Sequence, residues 1–133
     1  MLDTDICIYT IKRKPIGVLR RLENLGVGDL AMSAVTFAEL MNGAQKSQQV
    51  ELNLARLDAL SELVEIMPFD KKAAAAYGVV RSTLERRGEI IGGNDLLIAA
   101  HALSLGYVLV TNNEREFRRI ENLRVENWAD ETK

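Results

Sequence analysis

The 133-residue sequence predicts an α/β fold, a three-layer α/β/α sandwich with a mostly parallel central sheet. Three observations carry that expectation. Short β-type runs alternate with helical stretches along the chain. Each junction carries turn or cap chemistry, such as Pro15, Asp70, Gly88, Gly92-Gly93 and Gly106. The run Tyr107-Val108-Leu109-Val110 has the continuous apolar character of a strand covered on both faces, as crossover connections in a parallel sheet require.

Taken in order, Met1 to Asp3 reads as a first strand, followed at once by a helix whose cap is Thr4 or Asp5 and whose apolar set is Ile6, Ile8, Tyr9 and Ile11. Pro15 opens a second helix, with Ile16, Val18, Leu19 and Leu22 on its apolar side and Gly26 beyond its end. Leu30 to Ser33 reads as a strand leading into a helix start at Thr36. Ser47 to Leu63 carries leucines mostly at three- and four-residue steps, the mark of an amphipathic helix. Val64 to Met67 is a third strand, ended by Pro68. Asp70 caps a helix rich in alanine that runs to Gly88. After Gly92-Gly93, Asn94 or Asp95 caps a further helix, and Gly106 stops it before the Tyr107 to Val110 strand. A short helix over Glu114 to Arg119 and a strand near Val125 finish the chain.

The length suits one domain spanning 1–133, and no repeat, low-complexity tract or linker divides it. With 47% apolar and 27% charged residues, neither disorder nor a membrane protein fits. No apolar run approaches the roughly 18 residues of a spanning helix. The acidic start MLDTDICIY is unlike a signal peptide, so a cytoplasmic location is expected. A net charge of −2 excludes polyanion binding by the surface as a whole, although Lys12-Arg13-Lys14, Arg20-Arg21, Arg86-Arg87 and Arg115 with Arg118-Arg119 form local basic groups. The single cysteine, Cys7, lies in an apolar stretch and reads as a packing residue.

In an open parallel sheet, ligands bind at the carboxyl ends of the strands. Asp3 ends the first strand, Glu39 lies in the first turn of the helix after the second, Asp95 begins the helix that feeds the Tyr107 to Val110 strand, and Asn112-Asn113 follow that strand. Carboxylates gathered there would raise one another's pKa unless a cation offset them, and hard oxygen ligands select Mg²⁺ or Mn²⁺. Such a site suits attack of water on a phosphodiester. Local readings compete with this one. Thr36-x-x-Glu39 satisfies the capping-box pattern, and Asp95 can be a simple N-cap. Asp3 is harder to explain structurally, because acids are depleted in strands and costly to bury unpaired. His101, among Ala99, Ala100 and Ala102, reads as a packed core histidine rather than a catalytic one. Trp128 and the three tyrosines are too dispersed for a base-stacking platform.

The segments LDTDICIY, SAVTFAELMNGAQKS, IGGNDLLIAAHALSLGYVLVTNNEREFRRI and RVENW together resemble the PIN-domain ribonucleases, and more closely the VapC-type toxins of bacterial toxin–antitoxin pairs. The resemblance covers nearly the whole chain. It implies an α/β/α sandwich and a Mg²⁺- or Mn²⁺-dependent endoribonuclease, with Asp3 and Asp95 as metal ligands and Glu39 binding metal or orienting water. The family's fourth acidic position falls on Asn113, a departure that lowers the site's charge. Glu116 is a candidate for the missing charge, or simply a helix-end residue. Asp5 stands where many relatives carry asparagine. The resemblance further implies a structured RNA substrate such as initiator tRNA, a VapB-type antitoxin that inserts a tail into the acidic site, and a homodimer. Two alternatives stay open: a haloacid dehalogenase-type phosphatase using Asp3 and Asp5, and a catalytically silent module that holds RNA or a partner.

Overall fold

The computed structural model describes residues 1–26 and 28–129. Its helices are α1 (Thr4–Lys12), α2 (Ile16–Glu23), α3 (Ala34–Lys46), α4 (Val50–Leu63), α5 (Lys71–Arg87), α6 (Gly93–Leu105) and α7 (Glu114–Phe117). Its strands are β1 (Ala31–Ser33), β2 (Glu65–Met67), β3 (Leu109–Val110) and β4 (Val125–Glu126). β1 pairs parallel with β2, with Ala31 opposite Glu65 and Ser33 opposite Met67. β3 pairs parallel with β4.

The expected first strand, Met1 to Asp3, is reduced to an isolated bridge at Leu2, and these three residues join the two pairs. Leu2 bridges Val110 in parallel sense, the Leu2 N–H donates to Ala31 O at 2.7 Å, and the Asp3 N–H donates to Val110 O at 2.8 Å. The Val110 N–H in turn donates to Met1 O at 2.8 Å. The order across the sheet is therefore β2, β1, residues 1–3, β3, β4. The chain's opening residues occupy its centre.

Alternation along these short segments builds a core on each face. Leu2, Met32 and Val110 pack with Ile6, Cys7, Val18, Leu40, Leu57 and Leu60 from α1 to α4. Met1 and Leu109 point the other way, into Val80, Leu84, Leu96, Ile98, Ala99 and Phe117 from α5, α6 and α7. This is the expected three-layer arrangement. Among the described residues no helix is long and apolar enough to cross a membrane.

Local chemistry sets most of the helix ends. Asp70 caps α5 by accepting the Ala73 N–H at 3.0 Å, and Gly88 ends it at φ +66°. Gly106, at φ +68°, stops α6. There the Tyr107 N–H donates back to Ala102 O and the Gly106 N–H to Leu103 O, the paired bonds of a Schellman stop. Those bonds draw Tyr107 into the helix end, and β3 shortens to Leu109–Val110. At the other end of the chain α1 is capped by Asp3, not by Thr4 or Asp5 as expected.

α6 is buried nearly all round, at Leu96, Ile98, Ala99, Ala100, His101 and Ala102. Its alanines allow α5 to lie close against it. Beneath the pair, the one-turn helix α7 inserts the fully buried ring of Phe117. Truncating that ring leaves a void that so short a helix has little means to fill. Phe117→Ala should cost roughly 3–5 kcal/mol in equilibrium urea unfolding; a loss below about 1 kcal/mol would show that the layer closes without it.

Candidate metal-binding active site

The sheet brings Asp3 and Thr111 side by side. The Asp3 carboxylate is 5% exposed; the Thr4 N–H donates to its Oδ1 at 2.8 Å and the Thr111 hydroxyl to its Oδ2 at 2.7 Å. Two residues on, Asp5 Oδ2 accepts the Asn112 N–H at 3.1 Å, while its Oδ1 is buried with no hydrogen-bond partner. Around these acids runs a polar rim, in which the Asn112 side chain donates to Tyr9 and accepts from Asn127.

Glu39 enters from α3, and its position corrects the capping-box reading. Ser33 caps α3, its Oγ accepting the Val35 N–H at 3.1 Å, so the helix begins earlier than expected and Glu39 falls in the second turn. Both Glu39 oxygens face the site. The Thr4 hydroxyl donates to Oε1 at 2.7 Å and the Asn94 amide to Oε2 at 3.3 Å. Asp95 is likewise not an N-cap. Gly92 holds that position, and Asp95 sits in the first turn of α6 with no capping bond from its side chain.

These acids act on one another. Burial, followed by the charge of Asp5, pushes the Asp3 carboxyl up to about 7, with Asp95 adding to the rise and the Thr111 and Thr4 hydrogen bonds opposing it. Asp95 is also raised, by burial first and then by Glu116, Glu39 and Asp5. Asp5 is raised by its own burial against the pull of the Asn112 N–H. Glu116 is thus electrostatically part of the site, ahead of Glu39 in its effect on Asp95. Asn113 stands at the edge. It precedes α7, its N–H donates to Thr111 Oγ1 at 2.9 Å, and its side chain makes no cap.

Asp3, Glu39 and Asp95 are therefore brought into one electrostatic cluster with Asp5 and Glu116. None of the ion pairs among the described residues involves them. A dry carboxyl driven up to about 7 and an orphaned carboxylate oxygen on Asp5 mark a charge deficit that a hard divalent cation would relieve. Among the described residues no three His, Cys, Asp or Glu side chains form a ready-made metal cage. Mg²⁺ and Mn²⁺ typically take only one or two protein carboxylates, with water and phosphate oxygens completing the shell. Thr4, Asn94 and Thr111, which orient the acids, escaped the sequence reading because their partners lie 35, 55 and 108 positions away. The polar run Thr111-Asn112-Asn113 directly after an apolar strand was the one available signal.

The raised Asp3 pKa fixes a direction for stability. Between 3.8 and about 7 the folded protein retains a proton that the unfolded chain has released, so stability falls as pH rises through that window. In EDTA the thermal midpoint should be higher at pH 5 than at pH 8, with a free-energy difference on the order of a few kcal/mol. Asp3→Asn should flatten most of this slope. An unchanged slope in that variant would assign the effect elsewhere.

The chain is similar to known proteins over nearly its whole length. A family model of the PIN domain matches residues 1–123. A tRNA(fMet)-specific endonuclease VapC of Shigella flexneri is 46% identical over 129 residues, covering 97% of each chain. A protein of the same name from Salmonella typhimurium is 44% identical, again over 97% of each. Among solved structures, DNA-bound VapBC from Salmonella typhimurium superposes with a TM-score of 0.90 at 44% identity, covering 96% of each chain. The match along residues 1–123 replaces the phosphatase alternative for Asp3 and Asp5.

Proposed function

This chain belongs to the PIN-domain family, among its VapC-type ribonucleases, and on that footing we propose that it is a Mg²⁺- or Mn²⁺-dependent endoribonuclease acting as the toxin of a VapBC-type pair. One observation carries the metal-dependent reading: a buried Asp3 carboxyl raised to about 7 amid Asp5, Asp95, Glu39 and Glu116, with no cationic side chain among the described ion pairs to offset them. Asp3 and Asp95 would hold the cation. When bound, it offsets the charge of the acids and of the scissile phosphate and activates water for in-line attack.

The chain's own groups do the positioning. Thr111 and the Thr4 N–H each hold one oxygen of Asp3, which fixes the carboxylate plane at the carboxyl end of the sheet. Thr4 and Asn94 hold Glu39 between α1 and α6, where it is placed to accept a hydrogen bond from the attacking water. Asn113 contributes a neutral amide at the rim and adds no charge. A site of this make-up would bind its metal in company with substrate phosphate.

The substrate is a structured RNA in the cytoplasm. Initiator tRNA is the specific candidate, supported by two relatives, 46% and 44% identical to this chain, that are tRNA(fMet)-specific endonucleases. A VapB-type antitoxin is the expected partner, supported by the likeness to DNA-bound VapBC of Salmonella typhimurium, and a homodimer is the proposed assembly of the toxin. The test is cleavage of total tRNA and rRNA with end mapping. EDTA should abolish cutting and Mg²⁺ restore it, and Asp3→Ala and Asp95→Asn should each lower kcat on the order of 100-fold or more with the fold intact. Metal-dependent RNA binding without any cut would instead identify a silent binding module.

A further inference from the structure

Among the described residues, His101 is a buried titratable side chain that the proposed chemistry leaves unused, and it is better connected than a packing residue needs to be. Its ring is 1% exposed on α6, and Nδ1 lies 2.8 Å from Ser33 Oγ. Ser33 ends β1 and caps α3, so its hydroxyl oxygen already accepts the Val35 N–H. The Pro68 backbone just beyond β2 also acts on the ring as a hydrogen-bond acceptor, opposing the effect of burial on its pKa. Proline has no N–H, so that bond must be donated by the ring to the Pro68 carbonyl. The two bonds then fit one neutral tautomer, with Nε2–H donating to Pro68 and Nδ1 accepting the Ser33 O–H. Burial, the largest influence, holds the imidazole below its ordinary pKa, in keeping with a neutral ring. The Phe69 ring meets it edge-on, with centroids 5.3 Å apart.

Register gives this contact its reach. Glu39 lies six residues after Ser33 on α3, and Asp95 lies six residues before His101 on α6. The two helices run past each other in opposite senses, cross-linked by His101 to Ser33 at one level and by Asn94 to Glu39 about 9 Å away. The second link is exposed and 3.3 Å long; the first is buried and 2.8 Å. The buried link is the stiffer of the two.

We propose that His101 is a positioning residue: through Ser33 it fixes the start of α3 against α6, so that Glu39 and Asp95 are presented to the same crevice. The proposal rests on the ribonuclease reading for its effect on turnover, though not for its geometry. Three substitutions separate the ring's two bonds. His101→Asn retains a group near Nδ1 that can accept from Ser33. His101→Gln retains only a donor near Nε2 for Pro68. His101→Leu retains neither.

The experiment compares these variants with Ser33→Ala by steady-state RNA cleavage, Mn²⁺ affinity from electron paramagnetic resonance, and amide chemical shifts of Glu39 and Asp95. Leu and Gln should lower kcat roughly 10- to 100-fold with KM unchanged, and weaken Mn²⁺ binding about tenfold. Asn should recover most of both, and Ser33→Ala combined with His101→Leu should be no worse than either alone. A folded Leu variant with full kcat and Mn²⁺ affinity would overturn the proposal, as would an Asn variant no better than Leu or an unimpaired Ser33→Ala. If Leu fails to fold, the contrast between Asn and Gln decides. If the wild type neither cuts RNA nor binds Mn²⁺, the ribonuclease reading falls alone; the Glu39 and Asp95 amide shifts, displaced in Gln and restored in Asn, then decide the positioning.

Discussion

The opening segment of the chain, threaded as the central element of the sheet, is the constraint on which the rest of the molecule depends. Leu2 must fill one core while Met1 fills the other, and the backbone bonds to Ala31 and Val110 leave no freedom to slide. A shift of one residue would exchange the faces. In that register Asp3 arrives at the end of the sheet, between Thr4 and Thr111, with its carboxylate out of water. The fold does not tolerate an acid there by accident. Two hydrogen bonds hold the carboxyl in place, and still its pKa rises to about 7.

Once Asp3 is fixed, the remaining acids follow from helix geometry. α1 starts at Thr4, so Asp5 is within the same small volume; α3 starts at Ser33 and sends Glu39 back toward Thr4; α6 starts at Gly93 and brings Asp95 and Asn94 alongside. Asp5 and Asp95 make Asp3 harder to ionise, and Glu116, Glu39 and Asp5 do the same to Asp95, which is a cost to the folded state without a cation. Local stability is given up at this end of the sheet, in keeping with the rule that strained or poorly compensated groups gather at functional sites. The apolar layers on both faces supply the compensation.

Much of this was legible in the sequence wherever the determining chemistry was local. Asp70, Gly88 and Gly106 mark helix ends through their own side chains or backbone freedom, and they do so as expected. The errors came where two local motifs competed. Thr36-x-x-Glu39 has the form of a capping box, but Ser33 ends the strand and caps the helix three residues sooner, which buries Thr36 and frees Glu39 for the site. Gly92 similarly displaces Asp95 from the cap it seemed to offer. Thr4 and Asn94 carried no signal for the site, and Thr111 only its place in a polar run after an apolar strand, since a hydroxyl or amide beside an acid has meaning only when a distant partner arrives. His101 was legible as buried; its link to Ser33, 68 positions away, was not.

The proposed chemistry requires a cation held by both Asp3 and Asp95. The most direct measurement is an anomalous difference map from crystals of the protein grown with Mn²⁺. It should place a strong peak in coordinating contact with oxygens of both Asp3 and Asp95, and the peak should vanish in Asp3→Asn crystals of the same form. A Mn²⁺-saturated crystal with no density between those two carboxylates, or with the ion bound only elsewhere, would contradict the account.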